Sequence, residues 1–198
     1  MEAVAPLGGR TLTGKHVALE PLEQRHHAEL IRAGADVEIW RYIPVNPGEG
    51  FAARLPWIES ETARNTMLAF AVRRLSDNAI VGSTSYLAIS QHDAKVEIGM
   101  TWYVAGAQGT PVNPEAKYLL LENAFGARYN RVEFKTDSKN LRSRGALRKL
   151  GAKEEGTLRA HMWMPQGYFR DSVYFSILAS EWPDVKKQLE ARLAAFQS

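Results

Sequence analysis

Residues 66–104 read as three strand-like runs, and from Asn113 onward the spacing becomes helical. A chain that changes period in this way needs a sheet with a helix packed on it, so purely helical and purely β folds are excluded. The first run, 66–75, ends at Ser76-Asp77-Asn78; the second, 79–90, ends at Gln91-His92-Asp93; the third is 95–104. Asp and Asn at such short connections favour tight turns, which predicts an antiparallel meander. Beyond it, Asn113 is expected to cap a helix, with Pro114 at its first position and Glu115 complementing its N-terminus. Leu120, Leu121, Ala124, Phe125 and Arg128 then repeat at helical spacing.

Around this centre the same rules predict a strand at 15–22 and helices at 23–33 and 52–64. Between those helices, residues 36–50 carry Pro44, Pro47, Gly48 and Gly50 and read as loop. A strand at 131–136 follows, then a helix at 140–150 stopped by Gly151. Strands at 158–165 and 171–179 flank the turn Pro165-Gln166-Gly167, and a terminal helix covers 184–196. No repeat or composition shift marks a second unit, so residues 1–198 are expected to form a single α/β (α+β) domain, with 1–12 as a tail and 184–198 as a C-terminal helix.

Composition narrows the chemistry. The chain has no cysteine, which removes disulfides, thiolate metal sites and cysteine nucleophiles. Its net charge of +3 allows an anionic ligand but falls short of a nucleic-acid signature. No apolar run approaches the length of about 18 residues needed to cross a bilayer. The first nine residues lack a basic region before an apolar stretch, so a cytoplasmic protein without nucleic-acid or membrane partners is expected. The five histidines lack metal-ligand spacing, and no metal is expected. Gly9 to Lys15 fits most of a phosphate-loop pattern, but His16 replaces the magnesium-binding hydroxyl and the segment precedes a strand.

The strand 95–104 leads through a Gly/Ala/Thr-rich loop into the helix at Pro114, and such a junction can cradle an anion on free N–H groups. A plain connection fits equally well. At the end of the next strand, Thr136-Asp137-Ser138-Lys139-Asn140-Leu141-Arg142-Ser143 places polar side chains before another helix, where Asn140 serves either as a cap or as a ligand.

At these residues the sequence resembles the GCN5-related N-acetyltransferases, and within them the ribosomal-protein N-terminal acetyltransferase-like branch. The resemblance runs from about Thr13 to Trp182 and rests on Glu97-Ile98-Gly99, Trp102, Gln108-Gly109-Thr110 through Glu115-Ala116, Asp137 with Asn140 and Ser143, and Lys149-Leu150-Gly151-Ala152. It implies a mixed, mostly antiparallel twisted sheet of about seven strands with helices on both faces. Two neighbouring parallel strands, 95–104 and 131–136, would splay apart to admit acetyl-coenzyme A.

The resemblance further implies that the pantetheine pairs with the backbone of Trp102, Tyr103 and Val104. The pyrophosphate would sit on Gln108, Gly109, Thr110, Val112 and Asn113, with Asn140 and Ser143 approaching from the next helix; Arg142, Arg144 or Arg148 would meet the nucleotide phosphate. Pro111 and Asn113 stand where the family's phosphate loop carries small residues, and Pro111 has no N–H to donate.

The implied reaction is direct attack of a primary amine, on a small molecule or a protein N-terminus, upon the thioester. Glu97 is the preferred base, acting through water, with a structural glutamate as the alternative. Asn140 is the second candidate at the reacting centre. Gly99 is a candidate bulge. The tyrosine that many relatives carry on the helix after Asn140 is absent, which leaves solvent, Ser138 or Ser143 to protonate the thiolate. Trp40, Tyr42, Trp57, Met162 and Trp163 would line an acceptor pocket or simply pack the core. A homodimer is compatible with the family, and a non-catalytic acyl-coenzyme A-binding module is the alternative function.

Overall fold

The computed structural model describes residues 3–196; the ends of the expected tail and C-terminal helix, 1–2 and 197–198, lie outside the described residues. The strands are β1 (Leu12–Thr13), β2 (Val17–Pro21), β3 (Leu68–Arg74), β4 (Ala79–Ser90), β5 (Lys95–Tyr103), β6 (Arg131–Asp137), β7 (Lys153–Met164) and β8 (Tyr168–Leu178). The helices are α1 (Gln24–Ala33), α2 (Leu55–Ala63), α3 (Val112–Gly126), α4 (Leu141–Leu150) and α5 (Trp182–Ala194). One sheet of 8 strands runs in the order β1-β2-β3-β4-β5-β6-β8-β7, and every neighbouring pair is antiparallel except β5 and β6. The mixed sheet matches the expected class, with one strand more than expected because the two-residue β1 gave no sequence signal.

Each face of the sheet carries its own core. On one face, Val96 and Ile98 of β5, Val132 and Phe134 of β6, and Val173, Phe175 and Ile177 of β8 pack against α3, α4 and α5 through Leu120, Leu121, Leu147, Trp182 and Val185. On the other, Ala69, Ala71, Ile80 and Trp102 pack against Leu30 of α1, Ile58 of α2 and the irregular segment carrying Trp40, Val45 and Phe51. Trp102 meets Trp40 and Phe51 at ring separations of 5.3 and 5.6 Å. The Trp40 indole N–H donates to the Gly34 carbonyl at 2.8 Å, so this loop is fixed by aromatic packing and a buried hydrogen bond.

Three local expectations change. The bulge falls on Met100 (φ 49°), not Gly99. Register moves from Ser85↔Gly99 to Ser83↔Trp102, so the extra residue reverses the alternation beyond it. Ile98 and Trp102 would share a face in a regular strand; here they lie in opposite cores. Second, α3 begins at Val112 with Pro111 at its N-cap, so Asn113 lies within the first turn and is not the cap. The fixed φ of Pro111 (−65°) already suits the helix, which starts the turn two residues early. Third, β7 starts at Lys153, well before Leu158: alternation there is hidden because both of its faces are largely exposed.

The phosphate-loop-like segment does hold an oxyanion, one that belongs to the protein. The N–H groups of Lys15, His16 and Val17 donate to the Glu115 carboxylate at 2.9, 2.6 and 2.8 Å. A Cβ on Gly14 would lie 2.5 Å from Glu115 Cδ, so only glycine leaves room for this side chain. The contact ties the start of α3 to the edge of the sheet. Glu115→Ala is expected to lower unfolding free energy in urea by roughly 2–4 kcal/mol, since three backbone donors, that of Val17 fully buried, lose a charged acceptor. A loss below about 0.5 kcal/mol, the range of surface substitutions, would contradict this tie.

Candidate active site

Parallel pairing between β5 and β6 covers only Lys95↔Arg131, Val96↔Val132 and Glu97↔Glu133. β6 continues to Asp137 along β8, while β5 continues to Tyr103 along β4, so the two strands part after Glu97. The result is a wedge whose walls are the free edges of both strands. Val104 donates its N–H to Val81 and accepts from Ala107, so its backbone is engaged within the fold. Successive residues of an extended strand direct their backbone groups to opposite edges, which turns the N–H and C=O of Tyr103 toward the wedge. Gln108 Nε2 reaches the Tyr103 carbonyl at 2.9 Å and folds the loop back onto the strand.

That loop ends at α3. Gly109 (φ 78°) turns the chain, and Thr110 Oγ1 bonds the Ala107 carbonyl and accepts from the Val112 amide at 3.3 Å. The amides of Gly109, Thr110 and Asn113 make no hydrogen bond among the described residues. They form a set of free donors at a helix N-terminus, which is the chemistry a phosphate requires. Beside them lies a cavity of about 390 Å³ lined by Lys15, His16, Arg74, Thr110, Pro111 and Val112, in which His16 Nε2 is buried without a partner. Free amides, basic side chains and an orphaned imidazole nitrogen fit the anionic half of coenzyme A. Across the wedge, Asn140 Oδ1 accepts from the Ser143 amide at 3.0 Å and caps α4. Arg144 and Arg148 both contact Glu154, at 3.5 and 2.6 Å, whereas Arg142 is exposed.

Lys117 is the first residue at the wedge that sequence reasoning missed. Its side chain rises from α3, Nζ lying 2.8 Å from Thr101 Oγ1 on β5 and 6.0 Å from the Phe134 ring on β6. No carboxylate pairs with it among the described residues, and burial lowers its pKa to about 7. Its signal was present in the sequence: Lys117 precedes Leu120 and Leu121 by three and four residues and so lies on their apolar stripe.

The opposite face holds the groups expected to meet an acceptor. Glu97 is buried and pairs with Lys135 Nζ at 3.3 Å. A Cβ on Gly99 would lie 2.8 Å from Glu97 Oε1, so Gly99 opens the space into which this carboxylate turns. Asp137 accepts from the Tyr168 hydroxyl at 2.5 Å and from the Lys139 amide at 2.8 Å. Burial and this bond to a carboxylate raise the Tyr168 phenol pKa. His161 Nδ1 meets Ser172 Oγ at 2.9 Å; burial, then Lys135 and Arg170, lower its pKa. Arg170 is 5% exposed and lies in the fields of Asp137 and Glu97.

Of the expected acceptor residues, Trp40 is core, Trp57 stacks under Arg54 at 4.4 Å, and Trp163 packs on Phe169 in an exposed pair at 5.0 Å. Arg54 also reaches Met100 Sδ at 3.2 Å, joining this wall to the bulge. The turn between β7 and β8 is tied to the wall by Gln166, whose Nε2 lies 2.7, 3.1 and 3.1 Å from the carbonyls of Trp40, Ile43 and Val45. No described helix is long and apolar enough to cross a membrane, and no group of three His, Cys, Asp or Glu among the described residues could hold a metal.

A parallel pair that parts beside a donor-rich helix N-terminus defines the acetyltransferase (GNAT) class. Residues 16–153 match the acetyltransferase (GNAT) domain, and the chain belongs to that family. It is similar to a GCN5-related N-acetyltransferase from Brucella melitensis (29% identity, TM-score 0.87, covering 97% of this chain and 89% of that one). It is also similar to an acetyltransferase structure from T. thermophilus (41% identity, TM-score 0.81, covering 92% and 96%). Mycobacterium smegmatis RimJ, solved with CoA-disulfide, shares the fold (22% identity, TM-score 0.82, covering 95% and 97%). No curated protein sequence matches the chain significantly.

Lys117 supplies a test of the wedge's polarity. Its folded-state pKa lies below the unfolded value of 10.5, so the folded protein binds fewer protons between pH 7 and 10 and gains stability as pH rises through that window. Lys117→Met is therefore expected to be more stable than wild type at pH 7, with the difference shrinking by pH 9.5. Urea unfolding at both pH values checks this; a pH-independent difference would show that Lys117 is charged and compensated in the fold.

Proposed function

We propose that the protein is an N-acetyltransferase that moves the acetyl group of acetyl-coenzyme A directly to a primary amine. The observation that carries this reading is the parting of β5 and β6 directly beside the free amides of Gly109, Thr110 and Asn113. An extended pantetheine arm suits the free edge of β5, where the Tyr103 carbonyl keeps a second lone pair beside its bond from Gln108, and the pyrophosphate suits the loop amides. Three amides, not the expected five loop positions, are available, because Val112 is engaged by Thr110 and Gln108 by Ala105. Lys15 supplies positive charge beside them, and Arg74, paired with Asp77, lines the same cavity. Asn140 and Ser143 stand at the mouth as the polar start of α4.

Chemistry then falls to few groups. Only an unprotonated amine attacks a thioester; near pH 7 its release costs roughly 1 kcal/mol for an α-amine and roughly 4 to 5 for a lysine. Glu97 takes that proton, through water; the amine nitrogen then bonds to the thioester carbon as the C–S bond breaks, and the departing thiolate takes a proton from solvent, Ser138 or Ser143. The Tyr103 N–H polarises the thioester carbonyl as charge develops on oxygen. With no cysteine in the chain, no cysteine acyl-enzyme forms, which favours direct transfer. Support for an amine acceptor comes from the fold relatives: Vibrio cholerae spermidine N-acetyltransferase was solved with CoA and spermine, and the Vibrio fischeri relative is a ribosomal-protein-S5-alanine acetyltransferase.

Glu97→Gln is expected to lower kcat/KM about 10²- to 10⁴-fold, the range for general-base catalysis, with the largest loss at low pH where free amine is scarce. Steady-state thiol release from pH 6 to 9 measures this. An unchanged pH–rate profile would remove Glu97 from proton transfer and leave it a structural glutamate. Tight coenzyme A binding with no turnover on any amine would instead favour a non-catalytic acyl-coenzyme A-binding module.

A further inference from the structure

Arg170 on β8 is buried to 5% exposure, yet its Nε and Nη2 make no hydrogen bond among the described residues. These two nitrogens share one edge of the guanidinium, the edge that forms a fork with a carboxylate. The same protein shows that edge at work twice. Arg73 places Nε and Nη2 on the two oxygens of Glu20, at 2.5 and 3.2 Å, and Arg74 places them on Asp77, at 3.0 and 2.6 Å. In Arg170 the edge is unmet, although burying unpaired guanidinium donors is costly.

Nearby carboxylates do not close it. Asp137 is held by Tyr168 and the Lys139 amide, and Glu97 by Lys135; both act on Arg170 at longer range. Alternation along β8 puts Arg170 on the face of Ser172 and Tyr174, whose partners on β6 are Asp137 and Lys135. That is the Glu97 side of the wedge, opposite α3 and α4. On the wall that reaches the Met100 bulge, Arg54 also has a buried Nε without a partner and no ion pair among the described residues, although its Nη1 and Nη2 reach the Pro44 carbonyl and Met100 Sδ.

Resting on the acetyl-transfer reading, we infer that the acceptor is a small amine carrying a free carboxylate, as in an amino acid, and that Arg170 clamps that carboxylate while the amine faces Glu97. Two cations with unmet donors also disfavour a polyamine, which would bring further positive charge to Arg54, Lys135 and Arg170. Arg170 is thus a specificity-determining residue, and no covalent step passes through it.

The test compares free amino acids with their carboxamides as acceptors for wild type, Arg170→Lys and Arg170→Met. The wild type is expected to prefer the acids, and Arg170→Met to raise their KM about 10- to 100-fold while leaving the amides and acetyl-coenzyme A affinity unchanged. Arg170→Lys keeps the charge without the fork and is expected to fall between. Equal use of acids and amides by wild type, or a variant that slows both alike, overturns the inference while leaving acetyl transfer intact. Failure to turn over any amine contradicts the underlying reading instead. Calorimetry of N-acetyl amino acids against their carboxamides on the coenzyme A-loaded protein then still decides the carboxylate: binding of the acid alone upholds it, and binding of neither overturns it.

Discussion

Lys95, Val96 and Glu97 hold β6 in parallel register, and the rest of the site depends on that pairing ending where it does. Beyond Glu97, β5 follows β4 and β6 follows β8, so two strand edges with unpaired backbone groups face one another. Exposed edges are ordinarily a liability in a sheet. Here they lie between covered faces, beside a loop whose amides are also free. The extra residue at Met100 adds a second consequence: it turns Trp102 into the core with Trp40 and Phe51 while leaving Thr101 toward Lys117. One bulge thereby decides which side chains line each side of the wedge.

Ionisable groups divide between those two sides. Lys117 lies on the α3 side with no carboxylate partner among the described residues, burial drawing its pKa to about 7. Glu97, Lys135, Asp137 and Arg170 gather on the other side, where two carboxylates and two cations balance in charge but not in hydrogen bonds. Buried unmatched donors cost stability, and such groups concentrate where a protein meets a ligand.

Much of the fold was legible because it depends on local rules. Turn residues after Leu75 and Ser90 marked the ends of β3 and β4, and the stop at Gly151 matched its left-handed conformation at φ 92°. The resemblance supplied the parallel pair, which no local rule predicts. Less legible was anything decided across the chain. Gly14 and Lys15 suggested a phosphate loop, but their oxyanion, Glu115, lies a hundred residues away. Glycine at position 99 looked like the bulge, whereas its missing Cβ makes room for Glu97. Asn113 had the residue type of a cap, yet Pro111 started the helix first. Arg170 gave no signal at all: it fell just before the strand expected at 171–179, where an arginine reads as solvated; its burial and unmet edge are tertiary facts.

The central claim is that acetyl-coenzyme A occupies the wedge with its phosphates on the start of α3. Backbone-amide NMR during titration with coenzyme A tests it directly. The amides of Tyr103, Gly109, Thr110 and Asn113 are predicted to shift together and to gain protection from hydrogen exchange in the saturated complex. Saturable binding that leaves those four amides unchanged would contradict the account.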